Sequence, residues 1–287
     1  MRIVGLHRRL WRTLGRMVEV LRYTAFSADP AGGNPAGVVL DATGLSDAEM
    51  LEIAASVGYS ETAFVVPRAD GFGIRYFSPV VEVPFCGHAT VATAVASGIA
   101  GRLVFHTPAG VVEVETADGA ATLTSVPTSS TPAPAADVAA ALAALGWTAD
   151  DLDVRYPVHW AFGGSTHLVV VVRGRSRLAA LDYDFDALGD LLRAHGAVTA
   201  DLLWQAEEDV FHARNPFPVG GVVEDPATGS AAAAFGGYLR ALGVVAAPRV
   251  ITVHQGVDMG RPSELVVDVR PDDARVRVTG RAVPIAG

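Results

Sequence analysis

Apolar positions along the chain fall in short runs separated by turn residues, and few stretches carry a helical period. Residues 18–26 read as a strand, Asp29-Pro30-Ala31-Gly32-Gly33-Asn34-Pro35 as a turn, and Gly37-Val38-Val39-Leu40 as a second strand. Ser46-Asp47-Ala48-Glu49 is a capping box, in which residues 46 and 49 satisfy each other's backbone amides, so a helix is predicted over 47–57. Gly58 is placed to end it, since glycine takes the left-handed conformation at little cost. Strands at 62–66 and 73–77 and a helix near 88–97 follow. Pro127-Thr128-Ser129-Ser130-Thr131-Pro132-Ala133-Pro134 has the composition of a linker. Beyond it the pattern predicts a helix over 135–145, a β-branched strand at 168–172, a helix near 185–195 and a half-exposed strand at 275–278. Strands and helices mix without the spacing of a parallel βαβ sheet, which predicts the α+β class.

The chain also matches itself. Glu82-Val83-Pro84-Phe85-Cys86-Gly87-His88-Ala89 and Glu224-Asp225-Pro226-Ala227-Thr228-Gly229-Ser230-Ala231 align without a gap, and Glu, Pro, Gly and Ala recur 142 positions apart. Each follows a strand end with Phe and Pro (Phe77-Ser78-Pro79, Phe217-Pro218) and leads into an Ala-rich helix that is apolar nearly all round. Such helices are expected inside a domain. A buried helix start leaves amides in need of partners, glycine there lets a ligand approach, and the helix dipole favours an anion. Glycine and serine also begin helices for structural reasons alone, so one copy would be weak evidence. Two at matched positions favour a ligand, and two such ends facing across a pseudo-twofold cleft are expected to hold one small carboxylate.

Composition narrows the picture. With 287 residues, half of them hydrophobic and only 18% charged, the chain can bury a large core, which excludes disorder. No apolar run reaches the roughly 18 residues of a membrane span. A net charge of −9 argues against nucleic acid as a partner. The single cysteine, Cys86, excludes an intrachain disulfide and a thiolate metal cluster. His159, His167 and His212 lack metal-ligand spacing, so no metal is implied, and Gly163-Gly164-Ser165-Thr166-His167 lacks the ending of a phosphate loop and reads as a turn. Five arginines precede the first acid, Glu19. Residues 1–16 are therefore expected to be a basic extension outside the fold. The remainder is expected to form an N-terminal half-domain, 17–128, and a C-terminal one, 129–287, whose last strands are free to pack back on the first. The balance is that of a cytoplasmic enzyme.

Gly33-Asn34-Pro35, Ser60-Glu61-Thr62-Ala63-Phe64, Cys86-Gly87-His88-Ala89-Thr90, the 224–231 motif, and Gln255-Gly256 with Gly260-Arg261-Pro262 occur in order over about 18–280. Together they resemble the PhzF-like (phenazine biosynthesis) isomerase family, which shares the diaminopimelate-epimerase-like fold. The resemblance implies two pseudo-symmetric halves, each a β-barrel-like sheet around a central α-helix. It implies no cofactor, and a homodimer is compatible with it. In the related epimerases and proline racemases a cysteine precedes Gly in each half; here those positions hold Cys86 and Thr228. A threonine hydroxyl is too weak an acid to replace a thiol, whose reference pKa is about 8.5.

By resemblance, Glu61 is the general acid/base that takes a proton from one carbon and returns it to another. That work suits a carboxylate whose pKa is raised by partial burial. Gly87, His88, Asp225, Gly229 and Ser230 are implied to bind the substrate, although His88 also fits a buried core histidine and Asp225 a cap. Cys86 reads as a remnant of the two-thiol pattern, so Cys86→Ser is expected to keep most of the turnover. Near-total loss in a steady-state assay would contradict this. Arg214-Asn215-Pro216-Phe217-Pro218 departs from the family's Phe-x-Pro and points to a different substrate. The alternatives are an epimerase or racemase using Glu61 and Cys86, or a carboxylate-binding protein without catalysis.

Overall fold

A computed structural model describes residues 9–13 and 16–286, with side chains from Met17 onward. The chain divides into two compact units, one running to Leu123 and resumed at Thr279, the other Thr124–Val278.

The first unit contains, in chain order, β1 (Arg9–Thr13), β2 (Arg16–Ala25), β3 (Asn34–Val39), α1 (Asp47–Val57), β4 (Glu61–Arg68), β5 (Gly71–Phe77), β6 (Glu82–Val83), α2 (Gly87–Ala96), β7 (Gly101–Thr107), β8 (Gly110–Ala117) and β9 (Ala120–Thr124). Strand β2 pairs antiparallel with β3, β3 parallel with β4, and β4 antiparallel with β5. From β5 the sheet steps in parallel to β7 and continues antiparallel through β8 and β9. The end of the chain's final strand, Val276–Pro284, pairs with β9 on one side and β2 on the other. Among the described residues, eight strands thus close into a ring.

Helix α2 lies against β2, β3, β4 and β8, and seven of its ten residues are buried. Its small side chains suit the narrow interior of an eight-stranded ring. The Thr90 and Thr93 hydroxyls donate to the Cys86 and Ala89 carbonyls at 2.6 and 2.7 Å, so they are satisfied without water. Helix α1 packs Met50, Ile53 and Ala54 on Val18, Val20, Val39, Phe64 and Phe77. Its capping box is formed as predicted, and Gly58 ends it at φ 73°.

Part of the basic leader lies outside the described residues, namely 1–8, 14 and 15. Residues Arg9–Thr13, however, pair antiparallel with β2, which begins at Arg16 and not after Met17.

The second unit contains β10 (Ser129–Pro132), α3 (Ala135–Leu145), β11 (His159–Phe162), β12 (Thr166–Val172), α4 (Arg175–Ala179), α5 (Phe185–Ala194), β13 (Ala197–Glu207), β14 (Val210–Phe217), β15 (Val222–Asp225), α6 (Gly229–Ala241), β16 (Arg249–Gln255) and β17 (Ser263–Val269), and the final strand, β18, starts within it. Its pairing repeats that of the first unit. A parallel step joins β12 to β13 across helices, as β3 to β4; β14 carries the short β15, as β5 carries β6; and a second parallel step joins β14 to β16, as β5 to β7. The buried α6 takes the place of α2. The 142-residue offset read in the sequence therefore also separates the first residues of the two central helices, Gly87 and Gly229. Strands β10, β11, β12, β13 and β17 all contact α6.

The segment read as a linker is in fact β10, paired antiparallel with β11. It escapes a hydrophobic-pattern reading because it is short, polar and mostly exposed. Strand β12 is buried on both faces, which explains its unbroken apolar run: Leu168, Val170 and Val172 face the cluster of Trp160, Leu188, Leu192 and Leu202. Gly163 sits where a Cβ would lie 2.4 Å from the Ala234 amide nitrogen and 2.6 Å from the Ser230 carbonyl oxygen, both in the α6 backbone. Gly163→Ala is expected to lower stability by about 1–3 kcal/mol, because helix or turn must move. A lower urea midpoint with an unchanged slope is the expected result, and an unshifted midpoint the contrary one.

Candidate active site

In the first unit, Glu61 opens β4 directly after the turn that ends α1. Its strand is held in register by the parallel pairing of Ala36 with Glu61. Cys86 is the N-cap of α2, extended at φ −145°, and makes no capping bond with its side chain. The Cys86 Sγ instead lies 3.6 Å from Glu61 Oε2, and 3.4 and 3.8 Å from His88 Nδ1 and Nε2. His88 Nε2 is 3.4 Å from Glu61 Oε2 and 3.4 Å from Ser60 Oγ. The Glu61 side chain keeps 18% of its surface exposed and that of His88 8%, so the carboxylate is the more accessible of the two. Beside Gly87, an added Cβ would meet only Phe85, at 3.9 Å, which leaves the start of α2 open to a ligand. Beneath it, Tyr76 donates to Thr90, and Thr90 to the Cys86 carbonyl, which anchors the first helical turn.

The glutamates of the repeated motif have a structural task. Arg75 on β5 grips Glu82 with two bonds of 2.6 Å, and its third arm reaches Asp47 at 2.6 Å. Arg214 on β14 grips Glu224 in the same two-pronged way, at 3.0 and 2.6 Å, with both side chains largely buried. Each pair fixes a short strand in front of a central helix. Arg214, which marked a departure from the family pattern, is thus the partner of the motif's own glutamate.

In the second unit, Asp225 Oδ2 accepts from the Thr228 hydroxyl at 2.5 Å. Gln255 braces the same turn: its amide donates to the Asp225 carbonyl at 2.8 Å and to Thr228 Oγ1 at 3.0 Å, while its oxygen accepts from the Thr228 amide at 3.1 Å. Ser230 lies 3.0 Å from His167 Nε2 and begins a buried chain. His167 Nδ1 is 2.7 Å from Thr199 Oγ1, Thr199 donates to Asn215 Oδ1 at 2.8 Å, and the Asn215 amide donates to Asp201 Oδ1 at 3.0 Å. Burial lowers the His167 pKa to about 3 and raises that of Asp201 to about 7, against the opposing Asn215 bond. His167 is therefore neutral. Since Thr199 spends its proton on Asn215, His167 donates from Nδ1 and accepts at Nε2, so the Ser230 hydroxyl donates inward and keeps its lone pairs for a ligand.

Of the six residues singled out from sequence, Gly87 and His88 join Glu61 in the first unit, and Gly229, Ser230 and Asp225 share one turn in the second. Sequence reading missed the partners His167, Thr199, Asp201 and Asn215. Polar residues interrupting the apolar strands β13 and β14 were the available signal. It also passed over a metal-ligand set. Among the described residues, Glu61, Cys86 and His88 place one donor atom each within 4.8 Å of one another, close enough for one cation. No helix among the described residues is long and apolar enough to cross a membrane.

The family model for phenazine biosynthesis-like proteins matches residues 23–287. The uncharacterized isomerase YddE of Salmonella typhimurium is 33% identical over 92% of this chain and 95% of its own. The trans-2,3-dihydro-3-hydroxyanthranilate isomerase of Pseudomonas chlororaphis is 35% identical over 90% and 94%. The crystal structure of a PhzF-family phenazine biosynthesis protein of Bacillus anthracis superposes with a TM-score of 0.83 at 26% identity, covering 93% of this chain and 97% of that one. A hydroxyproline epimerase of Agrobacterium vitis shares the fold, with a TM-score of 0.62 at 14% identity over 98% and 91%. The expected diaminopimelate-epimerase-like architecture is the one observed.

Proposed function

Since the chain belongs to the phenazine biosynthesis-like protein family and is an isomerase, we propose that it moves a proton between two carbons of a small unsaturated carboxylic acid. The observation that carries this reading is the position of Glu61, part-exposed and in contact with both His88 and Cys86. Glu61 takes the proton from one carbon, and the C–H electron pair passes into the substrate's conjugated double bonds. The same carboxyl then returns the proton to a second carbon, and a double bond moves between them. No electron leaves the substrate, so the step needs no cofactor. His88, itself contacted by the Ser60 hydroxyl, orients the carboxylate. The amide of Gly87, the first residue of a buried helix, suits a carboxylate. In the second unit, Ser230, with its proton committed to His167, suits an amino or hydroxyl donor, and the Gly229 amide an anion. A single cysteine and an acidic composition fit work in the cytoplasm.

An epimerase using Glu61 and Cys86 is disfavoured by their separation. Two bases on opposite faces of one carbon, each at about 3–3.5 Å, stand roughly 6–7 Å apart. Here the two groups are 3.6 Å apart and touch.

The test is incubation with trans-2,3-dihydro-3-hydroxyanthranilate and related diene acids in deuterium oxide. Isomerised product carrying solvent deuterium is expected. Inertness toward the acids, with racemisation of an amino acid instead, would contradict the reading.

A further inference from the structure

We propose that Glu61, Cys86 and His88 form a binding site for one Zn2+ ion, which competes with substrate for the carboxylate. With Zn–S near about 2.3 Å, Zn–N about 2.05 Å and Zn–O about 2.1 Å, tetrahedral angles set S···N at about 3.6, S···O at about 3.6 and N···O at about 3.4 Å. The corresponding separations are 3.8 Å for Cys86 Sγ to His88 Nε2, 3.6 Å for Cys86 Sγ to Glu61 Oε2, and 3.4 Å for His88 Nε2 to Glu61 Oε2. The His88–Glu61 distance is well beyond the ~2.9 Å of a good N–H···O bond. These three side chains are therefore spaced like the edges of a coordination tetrahedron, although they come from two elements, β4 and the start of α2.

Charge and chemistry agree with the spacing. Binding replaces the Cys86 S–H bond by a Zn–S bond and releases the proton to water. The thiolate that forms sits at the N-terminus of α2, where the helix dipole favours negative charge. One thiolate and one carboxylate neutralise a divalent ion, so the partly buried cluster carries no net charge. A sulfur ligand beside imidazole selects Zn2+ or Co2+ over Mg2+ and Ca2+. Three protein ligands leave a fourth position for water.

Binding stands on this geometry alone, whereas competition with substrate rests on the proposed role of Glu61. The intact protein, without an affinity tag, is titrated with Co2+, which reports thiolate ligation by a charge-transfer band, and with Zn2+ against a chromogenic chelator. One ion per chain with a thiolate band is expected. Cys86→Ser should lose the band, and both Cys86→Ser and His88→Gln should weaken Zn2+ binding about tenfold or more, with circular dichroism confirming that each variant is folded. His106→Asn, which alters a histidine paired with Asp70 elsewhere in the same unit, should change nothing. Absence of a site, or binding indifferent to Cys86 and His88, overturns the proposal. Because the readout is not turnover, a protein that binds the ion but transfers no proton upholds the site and removes the function proposed above.

Discussion

Glu61→Gln is expected to abolish deuterium incorporation from solvent into product and to lower turnover by about 10²–10⁴, the usual share of a general acid/base. In free energy this is about 3–5 kcal/mol of barrier. The substitution keeps the size and planarity of the side chain, so His88 and Cys86 keep a polar neighbour at the same place. What it removes is a site that releases and regains a proton. The thermal midpoint is therefore expected to stay near that of the parent, since Glu61 makes no bidentate ion pair of the kind that fixes Glu82 and Glu224. Exchange measured by mass spectrometry separates the outcomes. A variant that still exchanges solvent deuterium would move the proton-carrying role to another group.

The second large effect concerns stability against pH. Asp201 titrates at about 7 in the folded chain against a reference of 3.8, so the folded state holds a proton that the unfolded chain gives up. Its stabilising contribution is complete below about 4 and is lost as pH rises toward 7, a total of about 4 kcal/mol. His167 has the opposite sign: burial lowers it from 6.5 to about 3, so its contribution is complete above 6.5 and is lost as pH falls. Between about pH 4 and 6.5 the folded chain carries its proton on Asp201 and the unfolded chain carries one on the histidine. The two slopes, each up to about 1.4 kcal/mol per pH unit, cancel there. Asp201→Asn removes one of them. Relative to the parent, the variant should gain stability steadily with rising pH over that window, while its amide oxygen can still accept from Asn215. Urea unfolding of both proteins at pH 4.5, 5.5 and 6.5 measures the difference. Parallel profiles would show that Asp201 is ionised in the folded state throughout.

How much of this was legible in the sequence depended on the range of the interaction. The capping box of Ser46 and Glu49, the Gly58 stop and the largely apolar α6 are local features, and each stands where its residues place it. The duplication was legible because one eight-residue pattern recurs, and the structure shows the recurrence extending to the parallel steps and the short strands around it. Linker composition misled at β10, where three polar residues and a proline gain their order from pairing with His159–Phe162 rather than from burial. The Ser230–His167–Thr199–Asn215–Asp201 chain was illegible for a related reason. Its bonds span 63, 32, 16 and 14 residues, and no spacing rule connects them. Glu61 became a candidate only through family resemblance, since a glutamate between helix and strand is ordinarily a solvated loop residue. Its contacts with Cys86 and His88 depend on a strand and a helix start 25 residues apart.

The division of β18 between the two units bears on how the chain is made. Synthesis runs from the N-terminus, and domains commonly fold as they emerge from the ribosome. Here the earlier unit cannot complete its ring until Thr279 and the residues after it are free, because they fill the gap between β9 and β2. The Thr122–Thr279 contact alone closes a loop of 157 residues. A nascent chain stalled before residue 279 thus exposes β2 and β9 as unpaired edges, and loss of a few C-terminal residues would injure the N-terminal half first.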